Sequence, residues 1–256
     1  MENMSLEILL FLIAAGFLAA FVDSVVGGGG LVSIPALLFT GLPPSLALGT
    51  NKLASTMGAL TSTLSFLKSG KINKKLVLML FPLAVVGSAV GVYVVQLISS
   101  AVLKPLILVL LVGVTIYTVM SKRWGSESTF TVMTRKLAIF IGLAAMIIGF
   151  YDGFLGAGTG SFLIFSFLLL GFDFVEAAGN AKVLNFGSNL AALIAFIYFD
   201  SVHFGYGVPM GIAMVIGAAI GSNLAIRKGA AYVKALFVSV TVIFIGKGLW
   251  DYLTSM

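Results

Sequence analysis

Hydrophobic residues occur along this chain in long continuous runs, separated by short polar stretches. A helix of about 20 apolar residues is long enough to cross a bilayer. Eight runs approach this length, at residues 6–26, 46–67, 76–97, 102–120, 137–155, 177–198, 205–226 and 231–250. Two more, at 31–40 and 161–170, are too short to cross as ordinary helices. Because the runs are continuous rather than alternating, they favour helices over a transmembrane barrel. The pattern predicts an all-α polytopic membrane helical bundle.

Composition strengthens this prediction and excludes several classes of function. Of 256 residues, 60% are hydrophobic and only 9% are charged, and the mean hydropathy is +1.15, which excludes a soluble domain of this size. The first run lacks a basic flank and a cleavage site, so we expect a retained helix. The chain has no cysteine, which excludes disulfides, thiol catalysis and thiolate metal sites. Its basic residues lie mainly between the runs, so the net charge of +6 does not indicate nucleic-acid binding.

The chain contains an internal repeat. Asp23 corresponds to Asp152 at an offset of 129, and after one inserted residue the offset becomes 130. The later matches include Gly30/Gly160, Gly49/Gly179, Lys52/Lys182, Phe66/Phe196, Gly87/Gly217 and Gly91/Gly221. We therefore predict a first transmembrane repeat at 1–120, a basic connector at 121–136 and a second repeat at 137–256.

The distribution of Lys and Arg predicts that the two repeats are inverted. Loops 68–75, 122–136 and 227–234 hold eleven of the 15 basic residues, so we place them in the cytoplasm. The loop near 199–204 is equivalent to 68–75 but holds no Lys or Arg. Each repeat must therefore cross an odd number of times, counting its short segment, with both termini outside. Inverted repeats with interrupted helices are typical of secondary transporters, whose sites lie near the midplane.

Two glycine runs interrupt the apolar pattern at equivalent places. The first includes Gly28, Gly29 and Gly30, and the second includes Gly158 and Gly160. Glycine weakens a helix, and non-helical backbone inside a membrane is tolerated where it faces protein or a wet cavity. Amides at the start of the following short helix favour an anion. Close packing of small residues is the alternative explanation.

A lysine motif follows each glycine run. The motif Ala-x-Gly-x-x-Lys occurs as "ALGTNK" and as "AAGNAK", which end at Lys52 and Lys182. A lysine within a membrane segment is a candidate functional residue, although it can instead extend to the headgroups. Polar residues accompany both lysines, namely Thr50, Asn51, Ser55, Asn180, Asn185 and Asn189. Asn51 and Ser55 are spaced four apart, as are Asn185 and Asn189, so each pair shares a helix face. Such neutral donors suit an oxyanion, or they serve as contacts between helices.

Asp23 and Asp152 are the matching carboxylates of the two repeats. Three roles remain open for them: proton coupling, pairing with Lys52 or Lys182, and hydrogen bonding to amides freed at the helix breaks. The Gly-x-x-x-Gly pairs Gly87/Gly91 and Gly217/Gly221 predict close helix packing. With one histidine, His203, and no cysteine, the sequence gives little support for a metal site, and it indicates no cofactor.

These motifs carry a family resemblance over nearly the whole chain. "DSVVGGGGLVSIPALLFTG" followed by "ALGTNK", with "GFYDGFLGAGTGSF" and "NAKVLN" in the second half, resembles the sulfite exporter TauE/SafE family, or TSUP. The resemblance implies a multi-pass inner-membrane transporter of small anions such as sulfite, thiosulfate, sulfonates and related carboxylates. It also implies that Thr50, Asn51 and Lys52, and Asn180, Lys182 and Asn185, lie in the family's two signature blocks.

We therefore expect a secondary transporter, operating by alternating access, that exports a small sulfur-containing anion across the cytoplasmic membrane and is not an enzyme. Substrate-contacting groups would be the two lysines, the Asn and Ser side chains and the glycine backbones, with Asp23 and Asp152 in coupling or gating. Proton coupling is an open possibility. The alternatives are an organic-anion or carboxylate carrier, an anion channel, a scaffold protein, and an intramembrane aspartyl protease with paired carboxylates.

Overall fold

This computed structural model describes residues 5–103, 105–107, 109–110, 128, 130 and 134–254, with only the backbone described at 230, 231 and 233–254. The described helices are α1 (Leu6–Val26), α2 (Gly30–Phe39), α3 (Pro44–Lys68), α4 (Lys74–Gln96), α5 (Arg135–Phe154), α6 (Thr159–Leu169), α7 (Phe174–Tyr198) and α8 (Phe204–Thr254). Helix α8 is interrupted at Gly229, where φ is 76°. The predicted segment 102–120 lies largely outside the described residues.

Local sequence signals explain where several helices begin. The side chains of Ser5, Asn73, Thr134 and Asp173 each accept a backbone N–H in the first turn of the helix that follows. Such caps satisfy donors that would otherwise be unpaired. Five described stretches are long and apolar enough to cross a membrane: α1, α4, α5, α7 and the Phe204–Gly229 part of α8. The chain is thus a polytopic helical membrane bundle, as predicted.

Close glycine contacts reveal the direction of each helix. Along α1 and α8, Gly16 lies against Met210 and Gly221 lies against Phe21, so these two helices run parallel. Helix α3 is parallel to α8 as well, because Gly211 approaches Ala54 and Gly58 approaches Met214 further along. Helices α1, α3 and α8 therefore share one direction.

The remaining long helices run the opposite way. Helices α4 and α5 are parallel, since Gly87 lies against Met146 and Gly91 lies against Phe150. Helices α4 and α7 are also parallel, through hydrogen bonds from the Asn73 amide to Asn180 and from the Gln96 side chain to Ser201. Helix α3 is antiparallel to α7: Gly49 contacts Phe196, whereas the Thr63 hydroxyl donates to the Lys182 carbonyl.

The two repeats consequently have inverted topology. Helices α1, α3 and α4 of the first repeat run opposite to their second-repeat equivalents α5, α7 and α8. The most extensive helix contacts also cross between repeats, joining α1 to α8 and α4 to α5. The described parts of the three lysine- and arginine-rich loops lie on one side of the bundle. On this side α3 and the first part of α8 end, and α4 and α5 begin. The 199–204 loop lies at the other end.

Each short helix folds back along the long helix before it. Phe11 near the start of α1 and Phe39 at the end of α2 have ring centroids 5.6 Å apart, and Phe130, which precedes α5, stacks at 4.4 Å on Phe172, which follows α6. A helix of ten residues is about 15 Å long, half the hydrocarbon thickness. The chain therefore reverses direction at each glycine run, and neither short helix is long enough to cross the bilayer as a regular helix.

The tips of these two helical hairpins meet inside the molecule. The Ser161 hydroxyl in α6 donates to the carbonyls of Val26 and Gly27 at 3.0 and 2.8 Å. Gly27, with φ of 70°, lies so close to the backbone of Gly160 that a Cβ there would overlap it. Both glycine runs are needed because this contact joins backbone to backbone. It sets the centre of the fold, where the polar residues of α3 and α7 also converge.

Candidate functional site

Two buried ion pairs link the repeats at the meeting point of the hairpins. Lys52 Nζ in α3 lies 2.8 Å from Asp152 Oδ1 in α5, and Lys182 Nζ in α7 lies 2.6 Å from Asp23 Oδ2 in α1. Each lysine therefore pairs with the carboxylate of the other repeat. Their formal charges cancel, which is the condition under which charged groups are tolerated at such depth.

The Lys52–Asp152 pair is completely enclosed. Both side chains are 1% exposed. Lys52 Nζ also donates to Asn189 Oδ1 at 3.1 Å, and the Ser188 hydroxyl donates to the second carboxylate oxygen of Asp152 at 2.5 Å. Asn189 is held in turn, because its side-chain nitrogen donates to the Asn185 carbonyl. Side chains of α7 thus satisfy both members of this pair.

The Lys182–Asp23 pair is built differently. Lys182 is fully buried, but the Asp23 side chain is 25% exposed. Its Oδ1 accepts the backbone N–H groups of Gly28 and Gly29 at 3.1 and 3.2 Å, while Oδ2 accepts from Lys182. The carboxylate therefore occupies a cradle of one ammonium and two backbone amides at the start of α2, a typical environment for an anion.

A cavity lies between these pairs. Its enclosed space for water-sized groups is about 20 Å³, and both Asp23 and Asp152 line it. Its other polar walls come from α3 and α7, through Asn51, Ser55, Ser62, Asn185 and Asn189. Small side chains and glycines widen the part next to α1 and α8, namely Ala19, Ala20, Gly29, Gly30, Gly58 and Ala59.

The cavity offers neutral donors. Within the part of the chain that the structure describes, the side chain of Asn185 and the side-chain nitrogen of Asn51 have no hydrogen-bond partner. The Ser55 hydroxyl contacts only the Asn51 side-chain oxygen, at 3.4 Å. These groups line the cavity and can donate hydrogen bonds to a small polar solute that enters it.

Of the predicted site residues, Asn51, Ser55, Asn185, Asn189, Gly29 and Gly30 line the cavity together with both aspartates. Lys52 and Lys182 do not line it, because the carboxylates hold them. Gly28 contributes its amide to Asp23 rather than a wall. Gly158, with φ of 77°, begins α6, and Gly160 packs on Gly27, so neither lines the cavity.

Thr50 and Asn180 lie on another face of their helices. The Thr50 hydroxyl accepts the His203 amide at 2.9 Å, and the Asn180 side-chain oxygen accepts the Asn73 amide at 2.8 Å. These bonds are equivalent in the two repeats, and each ties a signature motif to the start of a long helix in the other repeat. The geometry therefore gives both residues a structural position outside the cavity, where we had expected substrate contact.

Four contributors were not among the predicted site residues, and one of them is Ser62 on the cavity wall. Ser188 holds Asp152, Ser161 joins the hairpin tips, and Gly156 lines the cavity beside Lys52. Gly156 was detectable as the repeat equivalent of Gly27. Ser188 is adjacent to the predicted site residue Asn189, but nothing in the sequence assigns its partner.

The Gly-x-x-x-Gly motifs lie where the helices cross most closely. Gly87 and Gly91 face α5, and Gly217 and Gly221 face α1, each so near that a Cβ would overlap backbone or side-chain atoms. Among the residues described, no group of three or more metal-ligating side chains is found, and the two aspartates share no hydrogen bond.

Comparisons with known proteins agree with this architecture. The model of the sulfite exporter TauE/SafE family matches residues 12–247. A probable membrane transporter protein, ORF9, of a Sinorhizobium species is 37% identical over 94% of this chain and 92% of its own length. Probable membrane transporter proteins of Haemophilus influenzae and Escherichia coli K12 are 35% and 34% identical, covering 97% and 94% of this chain and 97% and 89% of their own lengths. No solved structure matches. This multi-pass membrane protein belongs to the sulfite exporter TauE/SafE family of membrane transporters.

Proposed function

We propose that this protein is a secondary transporter that exports a small sulfur-containing anion, such as sulfite, thiosulfate or a sulfonate, across the cytoplasmic membrane. The observation that carries the proposal is the polar cavity between two inverted repeats, lined by amide and hydroxyl groups of α3 and α7. The sulfur chemistry is taken from the name of the family. Sites at the interface of inverted repeats are typical of alternating-access carriers.

In this cavity, neutral donors contact the anion directly, and the two lysines attract it through their positive charge. Asn51, Ser55 and Asn185 offer N–H or O–H groups to the oxygens of the anion. Lys52 and Lys182 supply the positive potential, although carboxylates neutralise it while the cavity is empty. Rocking of the repeats about the hairpin tips would open the cavity to each side in turn.

Charge balance supports coupling to protons. The two lysines and two aspartates sum to a formal charge of zero, so an entering anion leaves the buried site with a net negative charge. A proton taken up by Asp23 or Asp152 would restore neutrality, because uncompensated charge at this depth is costly. The anion and proton would then move together. We place the three lysine- and arginine-rich loops, at 68–75, 122–136 and 227–234, in the cytoplasm and both termini outside.

The same cavity suits a small carboxylate, since the structure already holds the Asp23 carboxylate against Lys182. A carboxylate carrier is therefore the second candidate. The aspartyl-protease alternative is disfavoured, because each aspartate binds a lysine instead of sharing a proton with the other.

The test is flux of labelled sulfite into proteoliposomes, measured against concentration under an imposed proton gradient and an imposed membrane potential. We expect saturable flux that responds to the proton gradient and is lost in the Lys52→Ala/Lys182→Ala variant. Flux that does not saturate would indicate a channel. If sulfite, thiosulfate and sulfoacetate all fail to move in the wild type, the sulfur-anion proposal is wrong, and flux of acetate would then support the carboxylate carrier.

A further inference from the structure

We propose that the Asp23 carboxylate occupies the anion-binding subsite itself, as an internal stand-in for the transported anion, whereas the Lys52–Asp152 pair is a permanent structural lock. This inference rests on the proposed function and makes it specific. It assigns the substrate class as a small anion that presents two oxygens on one atom, as a carboxylate, a sulfonate or hydrogen sulfite does.

The donors around Asp23 form a complete anion site. Two backbone amides, from Gly28 and Gly29, bind one oxygen, and the Lys182 ammonium binds the other. All three donors belong to groups fixed by the backbone or by full burial, so they keep their positions if the carboxylate leaves. An anion with the same two-oxygen face would satisfy the same three donors.

The carboxylate at this place can leave. The Asp23 side chain is one-quarter exposed and borders the cavity, whose neighbouring wall consists of the small residues Ala19, Ala20, Gly58 and Ala59. Rotation of Asp23 into that space would free Lys182 and both glycine amides for a second anion. The displaced carboxylate would then face the cavity.

The equivalent carboxylate of the other repeat cannot do so. Asp152 is 1% exposed, and the Ser188 hydroxyl holds its second oxygen. Its lysine has an additional partner in Asn189, for which the first repeat has Ala59 at the equivalent position. Side chains of α7 bind both members of this pair. The pair is therefore a fixed contact between α3, α5 and α7.

Chemical rescue distinguishes the two pairs. Removing the side chain in Asp23→Ala should leave an empty cradle of carboxylate size, so sodium formate should raise the thermal unfolding temperature of the detergent-purified protein. The matched variant is Asp152→Ala, and sodium chloride at equal ionic strength is the salt control. We expect formate to bind Asp23→Ala more tightly than Asp152→Ala. The formate concentration that gives half of the maximal rise in unfolding temperature should be at least about tenfold lower for Asp23→Ala. In Asp23→Ala/Lys182→Met, which also lacks the ammonium, the formate effect should be lost.

Equal responses of the two single variants to formate, or no response of folded Asp23→Ala, would overturn the inference. If Asp23→Ala does not fold, wild-type protein supplies the test. Formate should then inhibit binding of labelled sulfoacetate competitively, and sulfoacetate binding that formate does not affect would contradict the inference. Transport decides the proposed function separately, because wild-type sulfur-anion flux can fail while Asp23→Ala still binds formate.

Discussion

The two ion pairs are equivalent in sequence but differ in their surroundings. Lys52 and Asp152 are enclosed and are held by two further side chains of α7. Lys182 and Asp23 have backbone amides as their additional partners, and Asp23 opens to the cavity. The difference arises from few positions: Ser188 and Asn189 in α7 correspond to Gly58 and Ala59 in α3.

This comparison shows how a duplicated chain can divide two tasks between matching residues. An ion pair surrounded by fixed side chains contributes to holding the repeats together, whereas one with a hydrated side can exchange partners. The buried pairs are weak evidence for stability as such, because desolvation offsets much of their attraction. Their arrangement is better explained by a need for matched charges beside a polar cavity. The following predictions test that difference.

The largest effect should come from leaving Lys52 without its carboxylate. Asp152→Asn leaves a fully enclosed ammonium without a charge partner, and removing one partner of a buried pair destabilises by about 3–5 kcal/mol. Asp23→Asn should lower stability less, since the Asp23 side chain is one-quarter exposed and borders the cavity, where a solvent anion can replace the lost charge. Unfolding of both variants in SDS measures how much stability each one has lost relative to the wild type. Equal losses would remove the distinction between the pairs.

The contact between hairpin tips should be the next most sensitive. In Gly27→Ala, the residue keeps a positive φ and its Cβ meets the Gly160 backbone. Left-handed strain of about 1–2 kcal/mol adds to an overpacking cost of about 1–3 kcal/mol. Gly41→Ala is the matched control, with φ of 86° and open space around it, and should show the strain alone. SDS unfolding should therefore separate the two variants, and similar losses would mean that the tips can move apart freely.

The hydroxyl of Ser188 should matter more than an ordinary buried hydroxyl. Ser188→Ala removes a bond of 2.5 Å to the Asp152 carboxylate, and hydrogen bonds to charged groups contribute about 1.5–3 kcal/mol. The control is Ser166→Ala, whose hydroxyl bonds only to a carbonyl of its own helix. We expect the control to change stability by less than about 0.5 kcal/mol. A Ser188→Ala variant as stable as this control would indicate that Asp152 is not held by α7.

The smallest effect should come from Thr50. Thr50→Val removes the acceptor for the His203 amide and should lower the free energy of unfolding by about 1 kcal/mol. Because Thr50 does not line the cavity, the KM for a transported anion should stay at the wild-type value. Asn51→Ala, on the cavity wall, provides the contrast and should raise KM. A raised KM in Thr50→Val would return Thr50 to the substrate site.

Much of the fold was predictable because membrane helices have strong sequence signals. The long runs, the break at the glycine runs and the inversion of the repeats followed from hydropathy, internal matches and the placement of Lys and Arg. Helix α3 starts at Pro44 and α7 at Phe174, two to three residues before the predicted segments, because a proline in the first turn and the Asp173 cap set these starts, and hydropathy detects neither.

The site was less predictable, because contacts between distant helices decide it. Asn51 and Ser55 share a face, so their place on the cavity wall followed from spacing. Thr50 is two residues from Lys52, which puts it about 200° around the helix from the lysine, and this phase argues against a shared role. The choice of carboxylate for each lysine depends on how the hairpins interlock, and no spacing in the sequence contains that information.

The most direct test of the account is labelling of the cavity from the two sides of the membrane. The chain has no native cysteine, so Ser55→Cys places a single thiol on the cavity wall, and Thr61→Cys in the same helix is a control outside it. Alternating access predicts that a membrane-impermeant maleimide labels Ser55→Cys from either side of oriented vesicles, and that sulfoacetate slows labelling there but not at the control. Labelling from neither side, or from only one, would contradict it.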